Sequence, residues 1–92
     1  MMISTVEFLA RAHLDRPALE YWISEEWLIP SESAPEYEFS EADVARALLI
    51  RDLMGDLGVN AEGVGVILNL VDQVHGLRSA LAEVVKSARR SA

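Results

Sequence analysis

The sequence predicts a mainly α fold: a helix-turn-helix with a small β wing, then a core helix, then a long terminal helix. Three observations carry this expectation. Capping signals at Ser4-Thr5-Val6-Glu7, Asp15-Arg16-Pro17 and Ser40-Glu41-Ala42-Asp43 mark helix starts. Apolar residues recur at helical spacing behind each of them. A final apolar alternation by three and four residues runs from Ile67 to Ala88, longer than one small domain can cover. At 92 residues the chain is one domain with a modest core, which burial in an oligomer would extend.

In the first element, a Ser4 or Thr5 hydroxyl accepts from a backbone amide three residues on, and Glu7 reaches back. Val6, Phe8, Leu9, Ala10 and Ala12 then give a short helix with an apolar side, and His13-Leu14-Asp15 is the turn. Asp15 caps the second helix. Pro17 is tolerated in its first turn, where an amide hydrogen would have no partner anyway. Leu19, Trp22, Ile23 and Trp27 follow at helical spacing, and Pro30 is the expected stop, because the residue before proline is pushed out of the helical region.

Ser31 to Pro35 is polar and broken, a loop. Glu36-Tyr37-Glu38-Phe39 alternates polar and aromatic, which suits a short strand or extended wing. The third helix is expected from Glu41 to Leu57. Its Val44, Ala47, Leu48, Leu49, Ile50, Leu53, Met54 and Leu57 cover most of the circumference, so it should be the core helix, packed on more than one side. Gly58 stands where a left-handed C-cap belongs.

Asn60 begins the last helix. Gly63, Gly65 and Gly76 weaken it by up to about 1 kcal/mol each relative to alanine, and close approach of another backbone would explain them. Ile67, Leu70, Val74, Leu77, Leu81, Val84 and Ala88 form a heptad seam that suggests a coiled-coil pair. Packing within the monomer is the other reading, but a helix about 45 Å long outruns its own domain. Lys86, Arg89 and Arg90 in the last turns suit the helix dipole. Residues 1–58 thus form the helix-turn-helix, wing and core helix, and residues 59–92 the terminal dimerisation helix, in one compact domain.

The net charge is −7, from fifteen acids against eight bases. Between Pro17 and Asp43 lie Glu20, Glu25, Glu26, Glu32, Glu36, Glu38, Glu41 and Asp43, with no Lys or Arg among them. Such a surface repels phosphate and attracts a basic partner. The chain has no cysteine, which excludes disulfides, thiolate zinc sites and cysteine nucleophiles. No apolar run reaches eighteen residues, so no transmembrane helix is expected. The opening Met1-Met2-Ile3-Ser4-Thr5 lacks the pattern of a signal peptide, and a cytoplasmic setting fits. His13 and His75 are either titrating groups or ligands, or plain surface and turn residues. Their distance in sequence favours the second reading, and no metal or cofactor is expected. Glu25-Glu26 has no nucleophile-and-base pattern beside it, so the expectation is a binding protein and no enzyme.

The order of short helix, tight turn, an Ala18–Pro30 segment of Leu19-Glu20-Tyr21-Trp22 type closing on Leu28-Ile29-Pro30, wing, and Ser40-Glu41-Ala42-Asp43 resembles the MerR family of helix-turn-helix proteins. The resemblance implies a winged helix-turn-helix in which residues 18–30 supply the recognition helix and its exit. Members that bind DNA have arginine where this chain has Glu20 and Ser24, often lysine where it has Ile29, and two wing arginines where it has Tyr37 and Glu38 before Phe39. The scaffold positions match and the phosphate-contacting ones do not. The stretch from Gly63 to Arg78, with its aliphatic run, Leu70-Val71-Asp72 and Leu77-Arg78, is similar to one offshoot of the family, the chaperone modulatory proteins or CbpM family. That resemblance implies an antiparallel homodimer that binds the J-domain of a DnaJ-like, CbpA-type co-chaperone and restrains its action with DnaK.

The candidate partner-binding residues are Glu20, Glu25, Glu36 and Glu38, with Trp22 and Tyr37 as apolar anchors. The candidate dimerisation residues are Ile67, Leu70, Val74, Leu77, Leu81 and Val84. Simpler roles stand beside these: Glu36 and Glu38 as charges guarding a strand edge, Trp22 and Trp27 as core aromatics, and Asp72 as a solvated residue or an inter-helix partner. The alternative function is a MerR-like DNA-binding transcriptional regulator, supported by fold analogy alone. A third class is a purely structural dimerisation module.

Overall fold

Short polar side chains cap all four helices of the computed structural model, which describes residues 2–33 and 35–91. Met1, Ala92 and Ala34 of the expected loop lie outside the described residues. The order is β1 (Ile3–Ser4), α1 (Thr5–Ala12), α2 (Arg16–Ser24), β2 (Glu38–Phe39), α3 (Glu41–Met54) and α4 (Ala61–Ser91). Ser4 Oγ accepts from the Glu7 amide and Asp15 Oδ1 from the Ala18 amide. Ser40 and Asp43 satisfy each other's amides in a complete capping box. Asn60 Oδ1 accepts from the Gly63 amide at 2.8 Å. Each cap satisfies a donor that the first helical turn leaves unpaired.

The wing residues find a partner that the sequence did not announce. β2 pairs antiparallel with β1, Ile3 opposite Phe39 and Ser4 opposite Glu38. The buried Thr5 hydroxyl donates to the Tyr37 carbonyl and accepts from the Tyr37 amide, extending the pairing by a side chain. Ile3 and Phe39 thereby turn inward, and Phe39 stacks on Phe8 of α1 with ring centroids 3.8 Å apart. The core gathers around this pair: Leu19, Trp22, Trp27, Leu28, Val44, Ile50, Val64 and Leu68 are all buried.

Two helices end without glycine. At the end of α1, His13 takes φ 56°, and the amides of His13 and Leu14 donate back to Ala10 and Leu9. At the end of α2, Glu26 takes φ 60°, and the amides of Glu26 and Trp27 donate to Ile23 and Trp22. Both are Schellman turns with a side-chain-bearing residue in the left-handed region. The second corrects the expected stop at Pro30: α2 ends at Ser24, and Trp27 returns onto Trp22 at 6.3 Å as the apolar contact of the turn rather than as its next helical neighbour. α3 likewise stops at Met54, short of the expected Leu57, which is exposed. Gly58 does take a left-handed φ of 64°, but in the connection three residues beyond the C-cap Gly55. At Gly63 an added Cβ would lie 2.7 Å from Val59 Cγ1, so a side chain of the preceding loop crowds that position.

α4 is 31 residues, about 46 Å long. Only its first third meets the rest of the protein: Val64 and Leu68 are buried, Ala61 and Ile67 partly so, and every residue from Asp72 to Ser91 is exposed. Arg46 of α3 sets its direction. The Arg46 Nε–H donates to the Trp27 carbonyl, while its two terminal nitrogens reach Asp72 Oδ1 and Oδ2 at 2.7 and 3.2 Å. The guanidinium thus joins the exit of α2, the middle of α3 and the point where α4 leaves the domain. No helix of the described residues is long and apolar enough to cross a membrane.

Two predictions follow from these contacts. Phe8→Ala should lower stability by about 3–5 kcal/mol, the range for emptying an aromatic site in a packed core, read from denaturant unfolding at one fixed protein concentration. The Arg46 hydrogen bonds, then its charge, hold the Asp72 carboxyl below the usual aspartate range against the opposing effect of burial. A carboxylate lowered in the folded state stabilises above its unfolded value, near pH 4, and that stabilisation is lost as pH falls through the folded value. Asp72→Asn should therefore be less stable than the native chain at neutral pH and should lose less stability below about pH 4. Parallel pH curves for the two would contradict this.

Candidate functional site

The helix-turn-helix surface is built by α2, its Schellman exit and the segment leading into β2. Asp15 and Pro17 start α2 so that Leu19 and Trp22 face inward. The opposite face then carries Glu20 and Ser24, with Glu25 and Glu26 following in the turn, all exposed.

Glu20 is not a free charge. It pairs with Arg16 Nε at 3.3 Å and accepts from the Tyr37 hydroxyl at 2.8 Å. That hydrogen bond, with burial and the nearby negative charge, raises the Tyr37 pKa. Arg16 also donates to the Pro35 carbonyl at 2.6 Å and lies over the Tyr37 ring, 5.7 Å from its centroid. Glu20, Arg16 and Tyr37 therefore brace the wing against α2.

Trp22 and Tyr37 are corrected as apolar anchors, since they are only 5% and 6% exposed. Helical spacing turns Trp22 into the core, and pairing with Thr5 and Glu20 pulls Tyr37 down. The apolar groups that do reach this surface are Tyr21 at 44% and Ile29 at 74% exposure, with Tyr21 edge-on to Trp27 at 5.6 Å. Sequence reasoning missed Ile29 because the early end of α2, which brings it out, carries no glycine signal.

Glu36 and Glu38 are exposed on the wing and share with Glu32 a shallow groove of about 490 Å³ beside β1. Glu25, Glu26, Glu32, Glu36 and Glu38 make no ion pair among the described residues. The bases are disposed oppositely. Arg11 is bidentate on Glu41 at 2.8 and 2.6 Å, raising its own pKa and lowering that of Glu41. Arg16 and Arg46 are engaged as described, so of the four arginines in residues 1–58 Arg51 alone is without an ion pair among the described residues. The surface offers carboxylates and withholds cations. Among the described residues no three of His, Asp or Glu are grouped to hold a metal. His13 is the C-cap of α1, and His75 lies on α4, one turn beyond Asp72.

A second feature lies on α4. Leu70, Val74, Leu77, Leu81 and Val84 are all exposed, Leu77 at 71%. With Val66 they fall within about 80° around the helix, and the centre of that stripe stands about 140° from the Val64–Leu68 face that meets the domain. Ile67 alone of the six candidate dimerisation residues is partly covered by the core.

No curated protein and no solved structure matches the chain. The family described as MerR HTH family regulatory protein matches residues 3–86, nearly the whole length. Its span takes in the capped helix pair, the wing strand, the core helix and most of α4. The chain belongs to the MerR helix-turn-helix family.

Proposed function

We propose that the protein is a homodimeric chaperone modulator that uses its helix-turn-helix surface to bind the basic face of a J-domain co-chaperone, of the DnaJ or CbpA kind, and restrains that co-chaperone's work with DnaK. It acts by binding and not by catalysis, in the cytoplasm. The observation that carries the reading is the set of five unpaired carboxylates, Glu25, Glu26, Glu32, Glu36 and Glu38, on the α2 exit and the wing. The likeness of Gly63–Arg78 to the CbpM pattern supplies the kind of partner. Opposite potentials speed encounter and fix register between such surfaces. An exposed ion pair contributes only about 0–1 kcal/mol, so several carboxylates share the affinity, and Tyr21 and Ile29 are the apolar groups placed to join them.

The competing reading, a DNA-binding regulator, draws on the family to which the chain belongs. Against it stands the charge of the surface. Non-specific DNA affinity rests on cations that neutralise phosphates, and Arg11, Arg16 and Arg46 are held by the protein's own acceptors.

Kinetics with a purified J-domain distinguish an acidic docking face from a merely solvated one. Glu36→Lys with Glu38→Lys should weaken binding about three- to tenfold, mainly through slower association, and raised salt should have the same effect on the native protein. Equal rates for native and variant at both salt levels would remove the wing from the interface. Absence of binding by the native protein would remove the function.

A further inference from the structure

We propose that the indole N–H of Trp27 is a binding group. It donates, through the gap left by Gly65, to a free backbone carbonyl of the basic partner, whose lysine or arginine side chains meet Glu26 and Glu62. The proposal rests on the basic-partner reading of the proposed function and carries its footprint from the α2 exit onto the start of α4. Trp27 is only 5% exposed, and Nε1 is its one polar side-chain atom. Buried indole N–H groups usually find an acceptor inside the protein. This one has no acceptor among the described residues. Yet no fully buried side-chain N or O atom among them lacks a partner, so Nε1 reaches solvent. The ring is covered and its donor is left at the surface.

The donor emerges beside Gly65. A Cβ added there would lie 3.8 Å from Trp27 Nε1, an ordinary contact, whereas at Gly63 it would meet Val59 Cγ1 at 2.7 Å. Alanine therefore fits at 65, and glycine inside a helix is less stable than alanine. What alanine would cover is Nε1. Pairing of α4 along its apolar stripe does not ask for this glycine, which stands about 140° round the helix from the centre of that stripe. A missing side chain lets a foreign backbone come within hydrogen-bond distance.

The surroundings select what approaches. Glu62 lies with Gly65 and Asn69 along a groove of about 460 Å³, and Glu26, Ile29 and Asp72 line with Trp27 a depression of about 230 Å³. Glu26 and Glu62 are exposed and make no ion pair among the described residues. They repel an anionic acceptor, and a carbonyl within a regular helix or sheet is already engaged. The acceptor that fits is a free carbonyl of a loop or helix end, close to cations that answer the two glutamates. Ile29, at 74% exposure, and Tyr21, edge-on to the Trp27 ring, supply the apolar part of the contact.

Nitrogen-15 NMR of the native protein, titrated with a purified J-domain, reads the donor directly. The chain has two tryptophans, so it gives two indole N–H signals, told apart with Trp27→Phe. At saturation the Trp27 signal should move downfield, further than that of Trp22, and its exchange with solvent should slow. In parallel calorimetry, Gly65→Ala should weaken J-domain binding about three- to tenfold, the loss of one hydrogen bond, while raising the protein's thermal stability. Gly76→Ala gains the same helix propensity in open space beyond the domain, and should bind within about twofold of the native protein. A Trp27 signal unmoved at saturation, Gly65→Ala binding as the native protein does, or equal losses from both glycine variants would overturn the proposal while leaving the J-domain reading intact. No binding of the J-domain by the native protein would overturn both.

Discussion

Arg46 is the residue on which the arrangement of the domain depends. It is a cation in a partly covered position, satisfied by a backbone carbonyl at the end of one helix and by both oxygens of an aspartate on another. A guanidinium can do this because its donors form a fixed planar fork. Removing it would leave the Trp27 carbonyl without its side-chain donor and Asp72 unpaired. It would also free α4 to choose another angle at Val71, the last residue of that helix that the core partly covers. The same contact engages the one arginine on the core helix nearest the α2 exit.

The surface follows from that economy of cations. Arg11 holds the start of α3 through Glu41, and Arg16 holds the wing through Glu20, the Pro35 carbonyl and the Tyr37 ring. Each arginine of the helix-turn-helix closes a joint between elements. Five of the carboxylates left over, Glu25, Glu26, Glu32, Glu36 and Glu38, collect where α2 ends and on the wing. α4 then carries the rest of the chemistry outward: an apolar stripe that its own domain leaves uncovered, and a basic tail beyond it. The family's scaffold is kept, while Arg11, Arg16 and Arg46 serve as ties within the domain.

Much of the fold was legible because its local signals agree with one another. Ser4, Asp15, Ser40 and Asn60 all act as caps, and the apolar periodicity of α3 matches its buried face at Val44, Ala47, Ile50 and Leu53; Val64 and Leu68, which bury the start of α4, lie off the seam that the sequence shows in that helix. The helix ends were harder. Schellman turns at His13 and Glu26 use residues that carry no glycine signature, so the sequence shows no stop for α2 before Pro30, six residues beyond Ser24. β1 is two residues long, with one apolar side chain, too short for any alternation to show. The acidic character of the surface could be read by counting. Which acids are free could not, because Glu20 and Glu41 are claimed by arginines four and thirty residues away. The burial of Tyr37 is hidden for a related reason: it depends on the wing folding back onto Thr5 and α2.

The central claim is that this helix-turn-helix reads a basic protein surface and not a phosphate backbone. Parallel anisotropy titrations of the native protein, one against a labelled J-domain and one against labelled duplex DNA, each at low and physiological salt, test it most directly. The account predicts saturable J-domain binding that weakens as salt rises, and no DNA binding at physiological salt. Tight DNA binding with a steep salt dependence, together with no response to the J-domain, would contradict it.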